Sequence, residues 1–231
     1  MRLATALLAL VLAGCSAAPV PAERLSSTLV SPVDIELHWQ GDDPGAAGRV
    51  VEFATEPQGD YTVLEYLPTA RTTFRHPDLI PETTFYHRIR AYYGPVSNTV
   101  EVVLPPGEFT EEDQRNDHEW APPKVIPGGT AAKHAVRSAD PAAAPAGLTA
   151  TVMHANGIRF GWADNAGDED GYLLESRPAG GGEFGVTAVL DPDVNSFGLI
   201  TLPNEKRAEY RVRAYYYGPS SNVVHHRTGR E

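Results

Sequence analysis

The chain has 231 residues with a net charge of −11, and 42% of them are hydrophobic and 9% aromatic. This is enough apolar material for a packed core, which excludes wholesale disorder, and an acidic balance without any run of Lys or Arg excludes a phosphate-neutralising nucleic-acid binder. The single cysteine, Cys15, excludes an internal disulfide and a thiolate metal cage.

In chain order, Met1-Arg2 brings one positive charge, and Leu3 to Leu12 forms an apolar stretch of ten residues. That length suits the hydrophobic part of a secretory signal and falls short of the roughly 20 residues of a spanning helix. Leu12-Ala13-Gly14-Cys15 follows at once. This tetrad resembles the lipobox of bacterial lipoproteins, and the resemblance implies cleavage before Cys15 and a lipid on its thiol. Several acyl chains, at about 0.8 kcal/mol per buried CH₂, anchor stably where one would not. The alternative is an ordinary signal with an incidental Cys. Segment 1–14 is therefore read as a signal peptide and 15–22 as a lipidated tether. The expected location is the bacterial cell envelope, with the chain facing the periplasm or exterior. Ser16 after the lipidated Cys resembles lipoproteins sent to an outer membrane. The tether spans at most about 25 Å, which would keep the segment after it close to the membrane.

The rest of the chain repeats itself. A shift of 123 residues places Leu25 on Leu148, Ile35 on Ile158, Trp39 on Trp162, Glu52 on Glu175 and Phe74 on Phe197. It also places Arg88-Ile89-Arg90-Ala91 on Arg211-Val212-Arg213-Ala214, and one inserted Tyr then brings Gly94-Pro95 and Ser97-Asn98 onto Gly218-Pro219 and Ser221-Asn222. Within each copy the pattern is β. Ile35-Glu36-Leu37-His38-Trp39 alternates apolar and polar residues, as does Ile158 to Trp162 after the hairpin dipeptide Asn156-Gly157. The spacing predicts that Phe85, His87, Ile89 and Ala91 face inward, with Tyr86, Arg88, Arg90 and Tyr92 on the other face. The second copy sends Ala208, Tyr210, Val212 and Ala214 inward.

These landmarks together resemble the fibronectin type III family: the early Trp, Leu79-Ile80-Pro81, the Arg-Ile-Arg-Ala strand and the closing Gly-Pro-x-Ser-Asn. The loop Asp164 to Tyr172 is similar to bacterial members. The family's tyrosine-corner position holds Phe85 and Ala208 here. The resemblance implies an all-β chain of two immunoglobulin-like antiparallel sandwiches, at 23–104 and 148–227, with a tail at 228–231. Segment 105–147, rich in Pro, Gly and Ala, lacks apolar periodicity and is read as an extended linker whose ends stand about 35 Å apart. The second sandwich would then range farther from the membrane than the first.

The search for chemistry finds little. His38, His76, His87, His118, His134, His154, His225 and His226 show no metal-ligand spacing. His225-His226 reads as a frayed polar pair, and His87 as a core or edge histidine satisfied by the backbone. Asp164, Asp168, Glu169 and Asp170 lack the spacing of a calcium loop, and Gly180-Gly181-Gly182 reads as a hairpin turn. Neither a nucleophile motif nor a phosphate-cradling loop is present, so the expectation is a non-enzyme with no cofactor and no metal. Glu52 with Arg88 and Arg90, and Glu175 with Arg211 and Arg213, are expected as cross-strand ion pairs on a solvated face, each worth under about 1 kcal/mol. The candidate binding loops are the tyrosine-rich tips, Tyr92-Tyr93 and Tyr215-Tyr216-Tyr217, since Tyr favours interfaces; packing on their own domain is the alternative. Trp120 is either a docking motif or a loose contact. The expectation is a lipid-anchored protein-interaction or adhesion module with an envelope protein or glycan as partner. A passive structural spacer and a carbohydrate-directed accessory protein are the alternatives.

Overall fold

The computed structural model describes residues 24–41, 43–107, 110–111, 115, 117–127, 132–202 and 205–230, so Cys15 and its tetrad lie outside the described residues. The first repeat forms β1 (Arg24–Ser31), β2 (Asp34–Gln40), β3 (Gly48–Ala54), β4 (Thr62–Leu67), β5 (Thr73–His76), β6 (Thr84–Tyr93) and β7 (Val100–Val103). The second forms β8 (Ala146–His154), β9 (Gly157–Ala163), β10 (Gly171–Pro178), β11 (Gly185–Leu190), β12 (Ser196–Ile200), β13 (Arg207–Ser220) and β14 (Val224–Arg227). The predicted alternation is observed. Ile35, Leu37 and Trp39 are buried under β2, Phe85, His87, Ile89 and Ala91 under β6, and Tyr210, Val212 and Ala214 under β13. The Gly180–Gly182 run joins β10 to β11 at φ angles of 101°, 136° and 105°, where any side chain would be strained.

Two three-stranded sheets, β1-β2-β5 and β12-β9-β8, each cover one end of an eight-stranded sheet. The backbone of that sheet runs β11-β10-β13-β6-β3-β4, with β14 on β6 and β7 on β13. Two cores result. One gathers Leu25, Ile35, Leu37, Trp39, Val51, Leu67 and Ile89. The other gathers Ile158, Phe160, Trp162, Tyr172, Leu174 and Val212.

The division into self-contained units at 23–104 and 148–227 needs correction. Strand β7 leaves its own repeat and pairs with β13, setting Val100 against Tyr210 and Val103 against Arg207. In return β14 pairs with β6, setting Val224 against His87 and Arg227 against Thr84. Each sandwich is closed by a strand from the other repeat. Val102 and Leu104 thus sit in the second core, and Val224 packs against the first.

The repeated Gly-Pro-x-Ser-Asn locks both crossings. Gly94, at φ 126°, begins the departure from β6. Ser97 N–H then donates to the Val212 carbonyl (2.8 Å) while Ser97 Oγ accepts from Val212 N–H (3.0 Å). The Asn98 amide group bonds both backbone polar groups of Leu148, at 3.1 and 2.9 Å. In the mirror arrangement Ser221 holds Ile89 and Asn222 holds Leu25. The predicted tail is also part of the fold, because buried Thr228 accepts from Thr83 N–H and donates to the Ile80 carbonyl.

The connecting segment is likewise no free linker. Residues 121–126 run along the open edge of β12: Lys124 N–H donates to the Ser196 carbonyl (2.9 Å), and Gly198 N–H donates to the Ala121 carbonyl (2.9 Å). Short 3₁₀ turns at Val136–Ser138 and Pro141–Ala143 bury Val136 and Ala143 in the second core. Hydrogen bonds to sheet edge and loops, with no regular apolar period, hold down the described residues 121–126 and 134–143.

Candidate functional site

The five tyrosines expected at loop tips lie in strands at the junction of the two sandwiches. Strands β6 and β13 outrun the exchanged strands beside them, and their protruding ends pair with each other, Tyr93 against Tyr216 and Tyr92 against Tyr217. The inserted Tyr falls where this register slips, between Tyr217 and Ser220. The outer sheet face, expected to be wet, is folded over so that Tyr92, Leu173 and Tyr215 form a third buried cluster with Ala47, Tyr66, Val186 and Tyr217 against it. The rings of Tyr93 and Tyr216 stack at 5.2 Å, while Tyr66 meets Tyr92 edge-on at 5.5 Å and Tyr215 meets Tyr217 edge-on at 5.1 Å. The hydroxyls of Tyr66 and Tyr217 bond each other across the junction, and Tyr93 donates to Asp43. Burial pushes the Tyr92 phenol up to about 12 and raises Tyr66, Tyr215 and Tyr217 as well, so these groups stay neutral and serve as apolar plates with polar tips.

The repeated carboxylates belong to the same junction. Glu52 accepts from Arg88 at 2.7 Å and from Arg90 at 3.1 and 2.6 Å. Glu175 accepts from Arg211 at 2.5 Å and from Arg213 at 2.7 and 3.3 Å. The expected pairings are present but not on a solvated face, since each glutamate is 2% exposed. Folding the two outer faces together removes water from both. The guanidiniums reach across the junction: Arg90 lies 3.9 Å over the ring of Tyr217, and Arg213 donates to the Gly94 carbonyl at 2.5 Å.

The acidic loop fastens the connecting segment. Asp168 accepts from the backbone N–H of Val136, Arg137 pairs with Asp170 at 2.5 Å, and Tyr217 N–H donates to the same Asp170 carboxylate at 2.8 Å. Asp164, Glu169 and Asp193 come close enough to surround a cation, but the Lys133 ammonium already bridges Asp164 and Asp193. Trp120 is docked as well. It stacks on His118 at 5.2 Å and packs against Gly198. The first repeat has Arg75 at the position of Gly198, paired with Asp34. A Cβ on Gly198 would stand 2.5 Å from the Trp120 ring and 2.6 Å from Ala121 Cα. Gly198→Ala is therefore expected to lift the segment from β12, costing about 1–3 kcal/mol and exposing 118–127 to limited proteolysis.

Neither the tyrosine cluster, the glutamate–arginine groups nor the acidic loop pairs an acid with a base in a cleft. An open hollow beside β1 and β2, lined by Arg24, Ser26, His38, Trp39, Gln40, Thr72 and Thr73, holds one imidazole and one guanidinium. Among the described residues no helix is long and apolar enough to cross a membrane. The strand exchange had no signal in the sequence, because both donor strands carry the same closing motif.

No protein-family model matches the chain, and no curated protein matches it. Among solved structures it is similar to a segment of two fibronectin type III domains from chicken tenascin, with 14% identity over 89% of this chain and 98% of that one and a TM-score of 0.28. An Fn3-like protein from Clostridium thermocellum is 27% identical over 31% of this chain and 76% of that one, with a TM-score of 0.28. The fn3 domain of human contactin 1 is 15% identical over 36% and 71%, with a TM-score of 0.29. The all-β fold of paired antiparallel sandwiches stands on the strand order and register above.

Proposed function

We propose that this chain is a non-catalytic lipoprotein of the bacterial cell envelope, held through lipid on Cys15, whose two fibronectin type III-like sandwiches act as one stiff structural unit. The observation that carries this reading is the reciprocal exchange of β7 and β14, which removes any hinge between the repeats. The spacer reading gains on the adhesion reading because all five candidate tyrosines are engaged inside the chain. A carbohydrate-directed role loses its platform for the same reason. Among the exposed apolar residues open to a partner are Ile80 and Leu202 at the two far ends, each more than half exposed.

The tether also changes the geometry. Arg24 pairs with Gln40, and the loop after Gln40 reaches the junction through Asp43 and Ala47. A leash from Cys15 would join the described chain at Arg24, on the side of the first sandwich that faces the junction.

Radiolabelled palmitate is expected to mark the wild-type chain and to be lost, with release from the membrane fraction, in Cys15→Ser. Label on both would remove the anchor from this reading. Cross-linking in the intact envelope separates the roles: a partner captured through Ile80 or Leu202 supports presentation, and none at either end leaves the spacer.

A further inference from the structure

The first sandwich gathers three histidines on its inner side: His87 of β6, fully buried, with half-buried His76 of β5 and His226 of β14. The second sandwich has Leu199, Tyr210 and Val102 in the matching places. The fold therefore does not require imidazoles there. His87 is 0% exposed, its Nε2 lies 3.0 Å from His76 Nδ1, and its own Nδ1 is buried without a hydrogen-bond partner. His226 Nε2 donates to the Ser27 carbonyl of β1 at 3.1 Å. From β3, His87 meets the ring of Phe53 at 6.5 Å, while Glu52 and Arg88 turn to the opposite face. The titratable groups facing His87 are thus His76 and His226.

The two exchanged strands also differ in grip. Strand β7 and the residue after it put Val102 and Leu104 into a core with Val100 packed against it, whereas β14 sets Val224 against a core and has His226 and Thr228 at the two following inward positions. Less apolar area is lost when β14 leaves.

We propose that β14 is an acid-weakened latch: protonation of His87, which faces His76 and His226, loosens Val224–Arg227 in the groove beside β6. Burial, with repulsion from His76 and His226, holds His87 down to about 3, and burial lowers His76 as well. Once the strand leaves, the imidazole takes a proton near the ordinary value of about 6.5. The latch is therefore fully closed above about pH 6.5 and loses grip as the pH falls toward 3. Each pH unit in that window lowers the closed-to-open ratio about tenfold for a single proton.

Hydrogen exchange on the full chain, corrected for the intrinsic pH dependence of exchange, tests this. Between pH 6.5 and 4.5 the protection of 224–228 is expected to fall about fiftyfold, while that of 100–104 holds. The graft His76→Leu, His87→Tyr and His226→Val, copied from the second sandwich, is expected to abolish the difference. Parallel loss in both strands, or the same acid loss in the graft, would overturn the latch. Should the graft fail to fold, the ring signals of the native histidines decide by NMR. A His87 that stays neutral below pH 5 while β14 is protected supports it, and one that titrates near 6.5 with β14 in place sinks it.

Discussion

Ending the chain after Ser220 is expected to open the first sandwich, whose own strands finish at Tyr93, and to leave the second closed. The truncation removes the strand pairs that Val224 to Arg227 make with Thr84 to His87. It also removes the Asn222 clamp on Leu25, the Ser221 bonds to Ile89 and the Thr228 bonds to Ile80 and Thr83. At about 1 kcal/mol net per hydrogen bond, the sum rivals the roughly 5–15 kcal/mol that holds a whole domain together. Amide protection in β1, β2 and β6 should collapse, that in β8 to β12 should persist, and a peptide spanning 221–230 added in trans should restore the first set. If protection vanishes from β8 to β12 instead, each repeat closes on its own strand and the exchange described above does not hold.

The second large effect belongs to the buried glutamates. Glu175→Ala leaves the guanidiniums of Arg211 and Arg213 facing each other without a counter-charge, and the Arg213 side chain is itself only 10% exposed. Breaking such a buried group by deleting one partner costs about 3–5 kcal/mol, which a shift of the urea midpoint will register. Asp117→Ala, which breaks an exposed pair with Arg115, is expected to leave the midpoint unmoved. Replacing Glu175, Arg211 and Arg213 together by apolar residues of similar volume should recover much of the loss, because the cost arises from stranded charge. A midpoint unchanged in Glu175→Ala would show that water reaches the junction.

The strands themselves were legible because alternation is a local property: Ile35, Leu37 and Trp39 announce one buried face wherever the chain goes next. The identity of Leu104's neighbours was not. Gly94-Pro95-x-Ser97-Asn98 and Gly218-Pro219-x-Ser221-Asn222 fit either acceptor equally, so a repeat that is easy to see conceals which strand closes which sandwich. The tyrosines were found but misplaced for a related reason. A face that alternates outward from one sheet is wet only if nothing covers it, and here its pseudo-symmetric twin does. Segment 105–147 carries no such signal, because Val136, Ala143 and Trp120 follow no period. What holds them is a set of single contacts to Asp168, Gly198 and Ser196, which no pattern within the segment encodes.

The exchange also sets a timetable. A ribosome makes β1 to β6 first, yet their sandwich stays unfinished while the whole second repeat is synthesised, and it shuts only when residues 221–230 emerge. The second sandwich, begun later, already has its closing strand waiting upstream. The half that is made first is finished last, so any prematurely stopped chain is born with an open side for quality control to find.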